Sequence, residues 1–177
     1  MYNGTNPSAL RSQQWFSEAL FSLMQTKSFS KITIKELCTQ ADLTRQTFYQ
    51  LFSSKEDVLR LVLMKYYTAF EQSLLSKEQL DLRALTEVFF HFFKLHKEFV
   101  QQLIDHNLDY LLTEQFTMVL PRIMQLCIDD DIGMIENPHI NCFIVSGLSA
   151  MIIDWLKNDS STDEKELVRL FLQMFQQ

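Results

Sequence analysis

Six residues in one short run carry side chains suited to reading the edges of another polymer: Thr44, Arg45, Gln46 and Thr47 in succession, then Tyr49 and Gln50. A guanidinium pairs with a guanine edge, a carboxamide with an adenine edge, a threonine methyl with the thymine methyl, and the hydroxyls with phosphate. Phe48, Leu51 and Phe52 interrupt the run at spacings of three and four, which gives a short helix an apolar inner face and leaves the six polar residues outward. Thr44 stands where an N-cap belongs. Upstream, Thr33 and Glu36 form a capping box that opens another short helix, with Ile34, Leu37, Cys38 and Ala41 as its stripe. Ala41-Asp42-Leu43 joins the two, and Asp tolerates the left-handed backbone a tight turn demands. The pattern predicts a helix-turn-helix, with Thr33, Tyr49 and Lys55 placed to hold phosphate. Lys55 also reads as an ordinary solvated charge.

The elements that position this motif follow from the flanking sequence. Ser8 is expected to cap a helix to about residue 26, with Leu10, Trp15, Phe16, Ala19, Leu20 and Leu23 inward. Ser53 and Glu56 make a second capping box, opening a long helix to about residue 76 with Val58, Leu59, Val62, Leu63, Tyr66 and Phe70 inward. From 82 to about 112 the chain is helix-rich, and Val88, Phe89, Phe92, Phe93, Leu95, Phe99, Val100, Leu103 and Ile104 form a stripe broad enough to be buried on more than one side. Pro121 is expected to start or kink a helix over 113–128, and Asp129-Asp130-Asp131 with Gly133 to mark a loop. A very apolar helix is predicted over 138–156. Ser161 and Glu164 are predicted to cap a last one carrying Leu167, Val168, Leu170, Phe171, Met174 and Phe175.

Composition narrows the function. Three glycines and three prolines in 177 residues favour long helices over many hairpins. The net charge of −6 is unevenly spread: residues 1–55 hold six basic and three acidic side chains, a balance of +3, and the remainder carries −9. A basic head and an acidic body suit a protein that meets phosphate at one end only. Cys38, Cys127 and Cys142 form no Cys-x-x-Cys pair and no even set, so a reducing, cytoplasmic setting is expected. No leader is expected at the N-terminus. The charge-free stretch between Glu136 and Asp154 reads as too short and too polar for a membrane span. No nucleophile elbow, phosphate loop, dinucleotide fingerprint or His-Glu-x-x-His sequence occurs, so the chain is expected to bind rather than catalyse and to need no cofactor.

The motif resembles the DNA-binding region of the TetR family of transcriptional regulators, on Thr33, Ala41-Asp42-Leu43, Tyr49, Phe52 and Lys55; it departs at Asp42, where the family usually has Gly. The run from Gly147 to Trp155-Leu156-Lys157-Asn158 is similar to a Gram-positive subgroup that includes the dihydroxyacetone-kinase operon regulator. The resemblance implies an all-α protein: a three-helix DNA-binding head (1–53), a connecting helix (54–76), and an effector-binding body that dimerises (77–177). It implies a homodimer on palindromic double-stranded DNA, a repressor released by a small-molecule effector, with the last two helices of each subunit pairing. The last two helices read either as ordinary core or as a self-complementary interface; Ser146, Gly147, Ser149 and Ala150 keep one helix surface small, and on the second reading Phe143, Gly147, Met151, Trp155, Leu167 and Phe171 form the interface. Phe89, Phe92, Phe93, His96, Tyr110, Phe116, Met118 and Cys142 read either as plain core or as the lining of an effector pocket. Two alternatives stand beside this: a metal-responsive regulator using His91, His96, His106, His139, Cys127 and Cys142, with His139 and Cys142 one turn apart, although no metal site is assigned, and a helical module acting through protein partners.

Overall fold

The structure, a computed structural model, describes residues 6–127, 137–158 and 162–174. Among them every regular element is helical: α1 (Pro7–Met24), a 3-10 turn (Phe29–Lys31), α2 (Ile34–Gln40), α3 (Arg45–Leu51), α4 (Lys55–Leu75), α5 (Leu82–Leu95), α6 (Lys97–Asp105), α7 (Tyr110–Cys127), α8 (Pro138–Lys157) and α9 (Glu164–Gln173). The chain divides into two compact units, Met1–Met64 and Lys65–Gln177, with the boundary inside α4.

In the first unit α1, α2 and α3 pack on one another around Phe16. Its ring meets those of Phe48 and Phe52 edge-on at 5.4 and 5.9 Å, a geometry the ring quadrupoles favour. Asn6 caps α1 instead of Ser8, accepting from the Ser8 amide at 2.9 Å, because Pro7 occupies the first helical position where its missing N–H costs nothing. Phe16, Leu20 and Met24 set the inward face, so Leu10 and Trp15 point to solvent, against expectation. Start of α4 is likewise shifted by one residue: Ser54 and Asp57 exchange the reciprocal cap bonds at 3.1 and 3.3 Å, in place of Ser53 and Glu56.

The second unit packs α5 on α9 and α7, and α8 on α7 and α6. The predicted stripe splits at His96, where α5 ends and α6 begins; Leu95, the last residue of α5, is exposed rather than buried. Pro121 lies inside α7 rather than at its start. Asn137 caps α8, accepting from the amides of His139 and Ile140. By length and composition α8 could cross a membrane, which corrects the expectation that this stretch is too short; its Ile144, Val145, Leu148, Ile152 and Leu156 are nonetheless buried in the unit, as in a core helix. Asp163 precedes α9 without a side-chain cap bond; the Ser161 cap, the acidic loop after Cys127 and Phe175 lie outside the described residues.

Candidate nucleic-acid interface

The two short helices of the first unit are fixed by their own caps. Thr33 Oγ1 accepts from the Glu36 amide at 3.2 Å, and the Glu36 carboxylate accepts from the Thr33 amide at 2.9 Å. Thr44 Oγ1 accepts from the Thr47 amide at 3.1 Å, and the two threonine hydroxyls lie 2.9 Å apart. Between the helices the chain closes a Schellman motif: Leu43 N donates to Cys38 O at 3.0 Å and Asp42 N to Thr39 O at 3.3 Å, with Asp42 at φ 53°. The left-handed turn read from the sequence is present. Asn107 makes the same motif after α6, at φ 58° with Leu108 N on Leu103 O at 2.7 Å, and this second one carried no sequence expectation.

These bonds sort the predicted contact residues into two kinds. On α3, Phe48 is fully buried while Arg45, Gln46, Tyr49 and Gln50 face solvent, Tyr49 with 60 % of its surface exposed. They form one polar face on a helix anchored by an aromatic core. The threonines are different, because Thr44 and Thr47 have their hydroxyls engaged in the cap, and the Thr33 hydroxyl donates to Glu36 Oε2 at 2.8 Å. Lys55 turns inward: its Nζ donates to Phe29 O and Ile32 O and lies over the Phe29 ring, and burial holds its ammonium below the ordinary lysine range. Two cations that the sequence reading counted in the charge balance but did not name as contacts, Lys31 and Lys35, are exposed on either side of Thr33. Their signal was position, two residues before and after the cap.

In the second unit the eight predicted pocket residues do not converge. Phe89, Phe92, Phe93 and Phe116 do meet, with ring centres 5.0 to 5.6 Å apart, and Tyr67 and Phe70 join them. The space they enclose is about 10 Å³, room for one water molecule at most. His96 stacks on Tyr66 at 4.2 Å beside this cluster, and burial lowers its pKa. Tyr110, Met118 and Cys142 are exposed and take no part, since each falls on the outward side of its helix. The Tyr67 hydroxyl is buried with no hydrogen-bond partner among the described residues, and burial pushes its pKa up.

The predicted interface residues divide too. Trp155 and Leu167 belong to the unit's own core, where Trp155 donates from Nε1 to Thr162 O at 3.2 Å and meets Phe90 edge-on at 6.1 Å, whereas Phe171 is buried but also forms part of the groove wall described next. Phe143 is 77 % exposed, and with Gly147, Met151, Leu170 and Met174 it lines an open apolar groove of about 550 Å³. No three His, Cys, Asp or Glu side chains gather into a metal-binding group among the described residues, and the Cys127 side chain is not described.

Both ends of the chain match known protein families. Residues 18–62 match the family described as bacterial regulatory proteins, tetR family, and residues 81–177 match a family described as transcriptional regulator C-terminal region. The fold is similar to the crystal structure of Lin0861 from Listeria innocua, with a TM-score of 0.77 at 16 % identity over 98 % of this chain and 94 % of that one. It is also similar to the fatty acid degradation regulator FadR from Bacillus halodurans, with a TM-score of 0.60 at 14 % identity over 97 % and 96 %. No curated protein matches the chain in sequence.

Proposed function

We propose that this chain, which belongs to the TetR family of DNA-binding transcriptional regulators, works in the cytoplasm as a homodimeric repressor that reads a palindromic operator and is released by a small-molecule effector. The division of labour we assign is a reading head over 1–53, a connecting helix over 54–76 and an effector and dimerisation body over 77–177. The observation that carries the reading is the two-faced α3: a seven-residue helix with Phe48 and Leu51 locked into the core and Arg45, Gln46, Tyr49 and Gln50 outward. Arg45, Gln46 and Gln50 read base edges, Thr44 and Thr47 add methyl contacts, and Tyr49 and Thr33 touch the backbone. A twofold pair of heads meets successive major-groove faces, so half-sites lie about one helical turn, or a multiple, apart.

An effector acts only through a difference in its affinity for the DNA-competent and incompetent forms, and the coupling is reciprocal. Membership of the family supports an effector; at Tyr67, whose buried hydroxyl has no hydrogen-bond partner among the described residues, an effector would have to open the aromatic cluster, which leaves about 10 Å³. The run from Gly147 to Asn158 supports a place in the Gram-positive subgroup named above. Selection of genomic fragments with purified full-length protein tests the whole reading. Inverted repeats are expected among the enriched fragments, and recovery no better than chance would overturn it.

A further inference from the structure

The Lys55 ammonium is engaged within the first unit. It donates to Phe29 O at 2.8 Å and to Ile32 O at 2.6 Å, and its nitrogen lies 4.4 Å from the centre of the Phe29 ring. Both carbonyls belong to the segment that leads the chain into α2. Phe29 O also accepts from the Ile32 amide at 3.1 Å to close the 3-10 turn, and Ile32 directly precedes the Thr33 cap. Phe29 and Ile32 are themselves buried, so the carbonyls are held on a fixed base. Lys55, for its part, is the first residue of α4, three residues past the Phe52 C-cap of α3. One side chain therefore ties the entrance of the first motif helix to the exit of the second.

Two of the three N–H groups of that ammonium are committed, at short distances, to acceptors that would lose a charge-assisted partner if it swung out to a phosphate. Lys31 and Lys35 are placed otherwise. They stand two residues to either side of Thr33, both are exposed, and neither makes an ion pair among the described residues. Resting on the DNA-binding function, we propose that Lys55 is a positioning residue that holds the two helices in register, and that Lys31 and Lys35 make the phosphate contacts bracketing Thr33.

The salt dependence of binding separates the two roles. Each phosphate contact adds about 0.9 to the slope of log K against log salt on B-form DNA, whereas a side chain that only positions others contributes nothing to it. Full-length protein is titrated with a duplex selected for tight binding, on which base contacts add to the phosphate contacts, over a range of salt concentrations. Lys31→Gln and Lys35→Gln should each lower the slope by about 0.9. Lys55→Met, which keeps the aliphatic stem, should weaken binding at least tenfold with the slope unchanged. Lys55→Arg should restore binding only in part, because one ammonium nitrogen donates to both carbonyls and a planar guanidinium presents its N–H groups differently, whereas a direct phosphate contact would survive that exchange. A Lys55→Met slope reduced by as much as that of Lys31→Gln, or full rescue by arginine, would overturn the assignment. Wild-type protein that binds no duplex would instead strike the DNA-binding reading, and the assignment is then decided on the free protein. There, Lys55→Met must speed hydrogen exchange of the Glu36 and Leu37 amides, and unchanged exchange overturns it.

Discussion

Glu36 receives hydrogen bonds from three groups at once: the Lys27 ammonium, the Thr33 amide and the Thr33 hydroxyl. The bond from Lys27, followed by the two from Thr33, holds its carboxyl down at about 2, against 4.5 for the free side chain. A carboxyl depressed on folding stabilises the folded state above its unfolded pKa and loses that contribution as pH falls through the folded value. For Glu36 the window runs from about 4.5 down to about 2. Thermal unfolding of wild type should therefore fall through this range, and Glu36→Gln, with less stability at neutral pH, should show a flatter acid limb; parallel curves would refute the linkage. On the reading face the prediction concerns specificity. Arg45 caps nothing and is exposed, so Arg45→Ala should cost about 1–3 kcal/mol on a selected operator, relax preference at one base pair, and leave the melting temperature near wild type. Fluorescence anisotropy on selected and random duplexes measures the difference.

Helix ends and helix faces were unequally legible in the sequence, for a physical reason. A cap is decided within four residues, so Thr33 with Glu36, Thr44, and the Asp42 turn could be read from the chain alone. Where two frames compete locally, as in Ser53-Ser54 before Glu56-Asp57, the choice slipped by one residue. Facing is harder, because periodicity cannot orient a helix that is apolar on several sides. That is why Trp155 was expected at an interface and lies in the core. The direction of Lys55 depends on carbonyls 23 and 26 residues away, which no local pattern encodes. Two substitutions test the elements themselves by urea unfolding. Asp42→Gly should change stability by less than about 1 kcal/mol, since glycine enters the left-handed region freely, whereas Asp42→Val should cost about 1–2 kcal/mol more. Phe92→Trp enlarges a side chain in a cluster with about 10 Å³ to spare, so it should overpack and destabilise by about 1–3 kcal/mol. A neutral or stabilising Phe92→Trp would mean that the cluster opens more readily than its packing indicates.

For the whole molecule, the charge asymmetry and the groove on α8 and α9 point the same way. Residues 56–177 carry the negative balance and would repel phosphate, which leaves this region free for contacts of another kind. Phe143, Met151, Leu170 and Met174 leave an apolar strip open to solvent, and isolated exposed apolar residues are ordinary whereas a contiguous groove of about 550 Å³ calls for an occupant. Gly147 strengthens the case, because a Cβ built on it meets nothing within 4 Å. Packing within the protomer does not require glycine there, and a helix-interior glycine costs roughly 0.5–1 kcal/mol relative to alanine. A second copy, laid across the groove by a twofold axis, would make use of the close approach it permits. The informative variant is Phe143→Asp, since Phe143 is 77 % exposed and its loss leaves the core intact. An unpaired charge buried in the interface should weaken association by roughly 3 kcal/mol or more, above a hundredfold in Kd. Sedimentation at micromolar concentration should find a wild-type dimer and a folded Phe143→Asp monomer with wild-type helical content. Trp155→Asp should instead unfold the body, because it places the charge among Phe90 and its neighbours. A Phe143→Asp protein that remains dimeric would move the interface off this groove, and a wild-type monomer that binds a palindrome cooperatively would remove the dimer from the proposed mechanism.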